Sequence, residues 1–180
     1  MRYLLLTLLI CALTCVAHAA EPVIGSAAPG ALGLGRDGKA IALEQHRGKI
    51  VVVTFWASWC TYCLKELPVL DAIQKQAGEH VQVIAVNVED SVADYRMMMR
   101  QMRSFSLLQS RDTNGQIAAA YGVSAYPNLW IIDRAGRISS HHRGYGEGSL
   151  DLIVDEINRT FRESKPAPEV SPASTGATAG

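Results

Sequence analysis

Hydrophobic residues are spread along this chain in two rhythms. Residues 50–56, Ile-Val-Val-Val-Thr-Phe-Trp, and residues 81–88, Val-Gln-Val-Ile-Ala-Val-Asn-Val, are nearly unbroken apolar runs. Such runs suit strands buried on both faces rather than strands with one wet side. Between them, from Thr61 to about Ala77, the spacing becomes helical, with Leu64, Leu67 and Leu70 recurring on one face. Pro68 falls inside that helix, where it removes one backbone hydrogen bond and bends the rod, and Gly78 supplies a stop. Ser91 is placed to cap a helix over 92–103. A short strand over 107–110, a polar turn over 111–115 and a brief helix over 116–121 follow. Residues 129–132 form the next strand. Asp133-Arg134-Ala135-Gly136 then turns the chain into an antiparallel strand over 137–143, polar enough for a sheet edge. A closing amphipathic helix spans 149–162, with Leu150, Ile153, Val154 and Ile157 on its apolar face. Near the start, Arg36-Asp37-Gly38-Lys39 reads as a hairpin turn between short strands at 31–34 and 40–43. The order predicts one α/β domain, a central mixed β-sheet flanked by helices, with an N-terminal β-hairpin ahead of it.

The two ends have a different character. Met1-Arg2, a Leu-rich stretch over 3–16 and Ala17-His18-Ala19 have the form of an export signal with a small-x-small cleavage site. The apolar stretch is short for a stable membrane span, although an uncleaved anchor is the competing reading. The sequence therefore predicts a signal peptide over 1–19 and a domain over 20–163. The Pro-, Ala-, Ser-, Thr- and Gly-rich remainder, 164–180, is expected to be disordered. Cleavage changes two counts. Losing Arg2 takes the formal net charge from zero to −1, which leaves no electrostatic footprint for nucleic acid. Cys11 and Cys15 leave with the signal, so the exported domain keeps Cys60 and Cys63 alone. That is not a multi-disulfide scaffold.

Cys60 and Cys63 sit where strand gives way to helix. Unpaired N–H groups and the positive end of the helix there favour a thiolate over a thiol. An offset of three residues puts both sulfurs on one side of the first turn, close enough to close a small ring. These features point to a redox dithiol. Cys60, ahead of the helix, should be the more exposed sulfur. A static disulfide would add little, because so short a loop barely constrains the unfolded chain. Structural zinc needs four ligands, and His141 and His142, adjacent on a strand, point to opposite faces. Neither a metal nor a cofactor is expected. Met97, Met98, Met99 and Met102 offer soft thioethers for copper, but methionines also fill core gaps, and packing is the reading preferred here.

The run Phe55-Trp56-Ala57-Ser58-Trp59-Cys60-Thr61-Tyr62-Cys63, with Pro68 five residues beyond, combines with Ala85-Val86-Asn87-Val88 and Gly122-Val123-Ser124-Ala125-Tyr126-Pro127. Together they resemble the thioredoxin superfamily, and more narrowly its exported TlpA/ResA-like branch, over about residues 25–160. The resemblance implies a thioredoxin-like fold and a thiol-disulfide oxidoreductase in which Cys60 attacks and Cys63 resolves. It places a cis-proline at Pro127 and an acid at Asp90, with Glu89 beside it; Glu66 matches an acid common in the branch. Disulfides of exported proteins, apocytochrome c among them, are the implied substrates, with electrons drawn from a membrane-embedded reductase. A soluble periplasmic monomer is expected.

Three departures qualify the resemblance. Thr61-Tyr62 replaces the usual residues between the cysteines. Thr54 stands where thioredoxins bury an aspartate, which passes the duty of proton acceptor to Asp90, Glu89 or water. Tyr126-Pro127-Asn128 makes a bulkier substrate-facing segment. Asp90 reads either as that acceptor or as a helix N-terminal acid beside Ser91. Glu66 reads as a further candidate for proton transfer, as an orienting residue or as a partner of Lys65 or another base. Trp59, Tyr62, Tyr126 and Pro127 are the candidates for contact with substrate, and Trp56 for the core. Reduction of disulfides is the favoured direction. An oxidase or isomerase, or a non-enzymatic metallochaperone or binding module on the same fold, is the alternative.

Overall fold

The structure is a computed structural model that describes residues 22–164. The signal peptide expected over 1–19 and, apart from Ser164, the tail expected over 164–180 lie outside the described residues. The strands are β1 (Ala31–Gly35), β2 (Ala40–Ala42), β3 (Ile50–Trp56), β4 (Val81–Asn87), β5 (Leu108–Arg111), β6 (Asn128–Ile132) and β7 (Ile138–Arg143). The helices are α1 (Thr61–Ala77), α2 (Val92–Gln101), α3 (Gln116–Ala120) and α4 (Ser149–Glu163). One sheet takes the order β2-β1-β5-β4-β3-β6-β7. The strands β3, β4 and β5 run parallel, and the hairpins at both ends pair antiparallel. This is the thioredoxin-like mixed sheet with an N-terminal hairpin.

The apolar runs become the central strands because both of their faces are covered. Every residue of β3 is buried. Ile50, Val52 and Trp56 face a core shared with α1, α2 and α4. Val51, Val53 and Phe55 face a second core with Leu32, Ala118 and Tyr121. The hairpin reaches the main sheet through β1, which pairs with β5. That approach needs a glycine: at Gly33, with φ +96°, a Cβ would lie 2.7 Å from the carbonyl oxygen of Arg111.

Helix ends follow local chemistry. Ser91 accepts the Asp94 N–H at the start of α2, and Gly78 closes α1 at φ 60°. Pro68 lies on the exposed side of a continuous α1. Two apolar faces differ from expectation. Leu64 is exposed, and the buried stripe of α1 is Cys63, Glu66, Leu67, Leu70 and Asp71. Leu64 lies in the first turn of the helix and at the edge of that stripe, beside Asp71 in angle, where it is left exposed. In α4, Leu150 points outward and Ile153, Ile157 and Thr160 are buried. The strand expected over 40–43 ends at Ala42, and Leu43–His46 forms a 3-10 turn.

Candidate active site

The fully buried strand β3 delivers the chain towards the surface at Ser58 and Trp59, and Cys60 is the N-cap of α1. The Cys63 N–H donates to Cys60 Sγ at 3.2 Å. That bond and the positive end of the helix would stabilise a thiolate at Cys60. The two cysteines are disulfide-bonded, with Cα atoms 5.2 Å apart. Cys63 is wholly enclosed and Cys60 is 6% exposed. The order of exposure is as expected, but the margin is small.

Large rings surround this entrance. Trp59 and Tyr62 are mostly exposed, whereas Trp56 is buried in the core that holds both cysteines. Trp59 meets Tyr126 edge-on at 5.7 Å, and Tyr126 packs against the core that contains both cysteines. The Tyr126–Pro127 peptide bond is cis. The fold therefore gathers Cys60, Cys63, Trp59, Tyr126 and Pro127 from two separate stretches of sequence.

The acids fall into different settings. Asp90 is buried and its carboxylate oxygens are occupied. It accepts from the Ser58 N–H at 3.0 and 3.1 Å, from the Ser58 hydroxyl at 2.9 Å and from the Asn87 amide at 2.7 Å. Its carbonyl accepts from Arg111 at 2.7 Å. Such a pattern clamps the loop that carries Trp59 and Cys60. Glu89 adopts a left-handed backbone, φ 67°, and its carboxylate faces the Tyr126 hydroxyl. Burial first, then the negative charge of Glu89, pushes that phenol up to about 12. It remains a proton donor at neutral pH.

Glu66 is the buried titratable acid of the site. It is 1% exposed, and its Oε2 accepts the Thr54 hydroxyl at 2.7 Å. Burial pushes its carboxyl up to about 7, and the hydrogen bond from Thr54 opposes part of that rise. Thr54 thus holds an acid instead of replacing one. Lys65 does not pair with Glu66; its ammonium lies over the Tyr62 ring, 5.6 Å from the centroid. The Thr54–Glu66 pair and the Ser58–Asn87–Asp90 clamp went unseen in the sequence. A glutamate three residues after Cys63, and so on the same side of the helix, was the available signal for the first. A lone asparagine in an apolar strand was the signal for the second.

The other candidates lie apart from this chemistry. His141 stacks on Trp130 at 3.6 Å and hydrogen-bonds Asn128 at 2.9 Å. Among the described residues, no group of three His, Cys, Asp or Glu side chains is placed to hold a metal ion. Met98, Met99 and Met102 are core residues, and Met102 Sδ accepts from the Gln109 amide at 3.7 Å.

Comparison with known proteins bears on the same region. The AhpC/TSA family model matches residues 24–141. The chain is 30% identical over 116 residues to the thioredoxin-like protein YneN of Bacillus subtilis, covering 59% of this chain and 64% of that protein. It is 31% identical over 177 residues to the thiol-disulfide oxidoreductase ResA of Geobacillus thermodenitrificans, covering 92% of this chain and 95% of that one. Its fold is similar to the crystal structure of the exposed lipoprotein thioredoxin Etrx1 of Streptococcus pneumoniae. The TM-score is 0.63 at 34% identity, over 72% of this chain and 97% of the other.

Proposed function

The chain belongs to the AhpC/TSA family and to the TlpA/ResA-like branch of the thioredoxin superfamily, and we propose that it reduces disulfides in exported, periplasmic proteins. The observation that carries this reading is the Cys60–Cys63 disulfide at the opening of α1, under an aromatic rim of Trp59 and Tyr126. Apocytochrome c is one substrate of the proposed class. The supply of electrons falls to a membrane-embedded donor, because the periplasm itself is kept oxidising.

The geometry supports a defined sequence of steps. In the reduced domain the Cys60 thiolate, favoured by the Cys63 N–H and the helix end, attacks one sulfur of the substrate disulfide. The substrate S–S bond breaks, a mixed disulfide forms at Cys60, and the first substrate thiolate leaves. Cys63 then yields its proton to Glu66, the buried acid three residues along the same helix face, whose carboxyl titrates near neutrality. The Cys63 sulfur attacks Cys60 Sγ, the internal disulfide returns, and the second substrate thiolate leaves. Two electrons pass to the substrate. Asp90 serves by fixing Ser58 and hence the position of Cys60, and Glu89 by holding the Tyr126 hydroxyl.

Equilibration against glutathione or dithiothreitol buffers, with thiols quantified at each point, tests the direction. A reduction potential near the thioredoxin range, roughly −270 mV, is expected. A value near the strong oxidants, roughly −120 mV, would assign the opposite direction.

A further inference from the structure

Away from the cysteines, the β1–β2 turn, α2 and the end of β5 border an open cavity of about 510 Å³. Four guanidinium groups line it: Arg36 from the turn, Arg96 and Arg100 from α2, and Arg111 from β5, with no acidic side chain among the lining residues. Arg96 and Arg100 share one helix face at an offset of four. Among the described residues, Arg36, Arg96 and Arg100 form no ion pair with a carboxylate. The acids adjacent in sequence are engaged elsewhere. Asp37 accepts from Lys39, and Asp94 accepts from Ser91. Arg111 gives one nitrogen to the Asp90 carbonyl and lies 5.9 Å from the Tyr95 ring centroid.

Exposed arginines on a helix are often nothing more than a solvated face. Tyr95 separates this cavity from that case. Its side chain lines the cavity and is 9% exposed, yet its hydroxyl has no hydrogen-bond partner. A buried hydroxyl without a partner costs about 1–3 kcal/mol, so such groups are normally satisfied. Burial raises the Tyr95 pKa while the charges of Arg36 and Arg111 work against that rise. The phenol is therefore protonated, can donate, and stands within the field of those arginines.

We propose that this cavity binds a phosphate-bearing anion, with the guanidinium groups gripping its oxygens and the Tyr95 hydroxyl donating a further bond. Guanidinium forks match phosphate oxygens in pairs. Four of them together balance a multiply charged group better than a single carboxylate. The cavity is larger than one phosphate, and Val92 and Met99 give it an apolar side on which the organic part of a phosphate ester rests. A soluble phosphate ester and an anionic phospholipid headgroup present the same chemistry. The site does not depend on the direction of electron flow at Cys60–Cys63.

Inorganic pyrophosphate titrated calorimetrically into the exported protein tests the site, alongside co-sedimentation with phosphatidylcholine vesicles with and without phosphatidylglycerol. Saturable binding to either probe is expected, weakened about tenfold or more in R96Q/R100Q and severalfold in Y95F. R159Q, which alters an arginine already paired with Glu156 and Glu163 on α4, should bind like the parent. Pyrophosphate binding alone assigns a soluble anion, and phosphatidylglycerol-dependent sedimentation lost in R96Q/R100Q assigns a headgroup. Thiol exchange by R96Q/R100Q at the parental rate shows that the variant is folded. Failure of both probes, or binding unaltered in R96Q/R100Q, overturns the proposal.

Discussion

Replacing Glu66 by glutamine isolates a single buried charge. Burial raises the Glu66 carboxyl from its ordinary 4.5 to about 7, so the folded protein holds this proton more tightly than the unfolded chain does. The associated stability is fully present below about pH 4.5 and is lost as the pH rises through 7. At roughly 1.4 kcal/mol per tenfold change in proton affinity, the loss is about 3 kcal/mol. Glutamine keeps an oxygen for the Thr54 hydroxyl but has no charge to bury. Its amide hydrogens add a fixed cost at every pH, which cancels when the change with pH is compared. The measurement is urea unfolding of oxidised E66Q and oxidised parent between pH 4 and 9. In the oxidised form neither cysteine titrates, and the histidines are common to both proteins. E66Q should gain about 3 kcal/mol on the parent across that range, or about 1.5–2 M in urea midpoint at a typical slope. Stability curves that stay parallel would show that Glu66 is not raised, and the proton-transfer step built on it would fall with them.

Three further outcomes are expected. D90N turns into a donor one of the two carboxylate oxygens that accept from the Ser58 N–H, the Ser58 hydroxyl and the Asn87 amide, and should cost about 2 kcal/mol. Its thiol-exchange pH profile should nevertheless keep the inflection near 7, and loss of that inflection would return the proton to Asp90. C63S should accumulate mixed disulfides at Cys60 that mass spectrometry detects, and their absence with authentic exported partners would refute the order of attack. Asp71 is buried, which disfavours its charge, but Lys75, Ser106 and Leu107 outweigh burial and hold its carboxyl below the usual range. Its contribution is therefore present above about pH 4 and fades as the pH falls through the folded value. D71N should lose about 2 kcal/mol at pH 7 and approach the parent at low pH, as thermal unfolding in acid can check.

Much of the architecture was legible because its cause is local. Unbroken valine and isoleucine runs require cover on both faces, so β3 and β4 were identifiable as central strands before any neighbour was known. Ser91 and Gly78 mark helix ends through bonds and angles that involve a few adjacent residues. Cys60 and Cys63 declared their chemistry through their offset and their place at a strand-to-helix junction. Leu64 and Leu150 were misplaced for a related reason: apolar spacing locates a stripe, but the surface it packs on decides which edge of the stripe is buried.

The partners of the polar side chains belong to a different class. Whether Glu66 faces water, Lys65 or Thr54 depends on how α1 lies across β3, a contact between residues twelve apart. Asp90 reaches Ser58 across thirty-two positions because β3 and β4 run parallel and in register, with Trp56 opposite Asn87. The four arginines of the cavity come from a turn, a helix and a strand end that are neighbours through the pairing of β1 with β5. Hydrophobic burial is set by each residue's own affinity for water, and a chain shows that in its order. A charge or a hydroxyl takes its meaning from what stands opposite it, and chain packing alone supplies that.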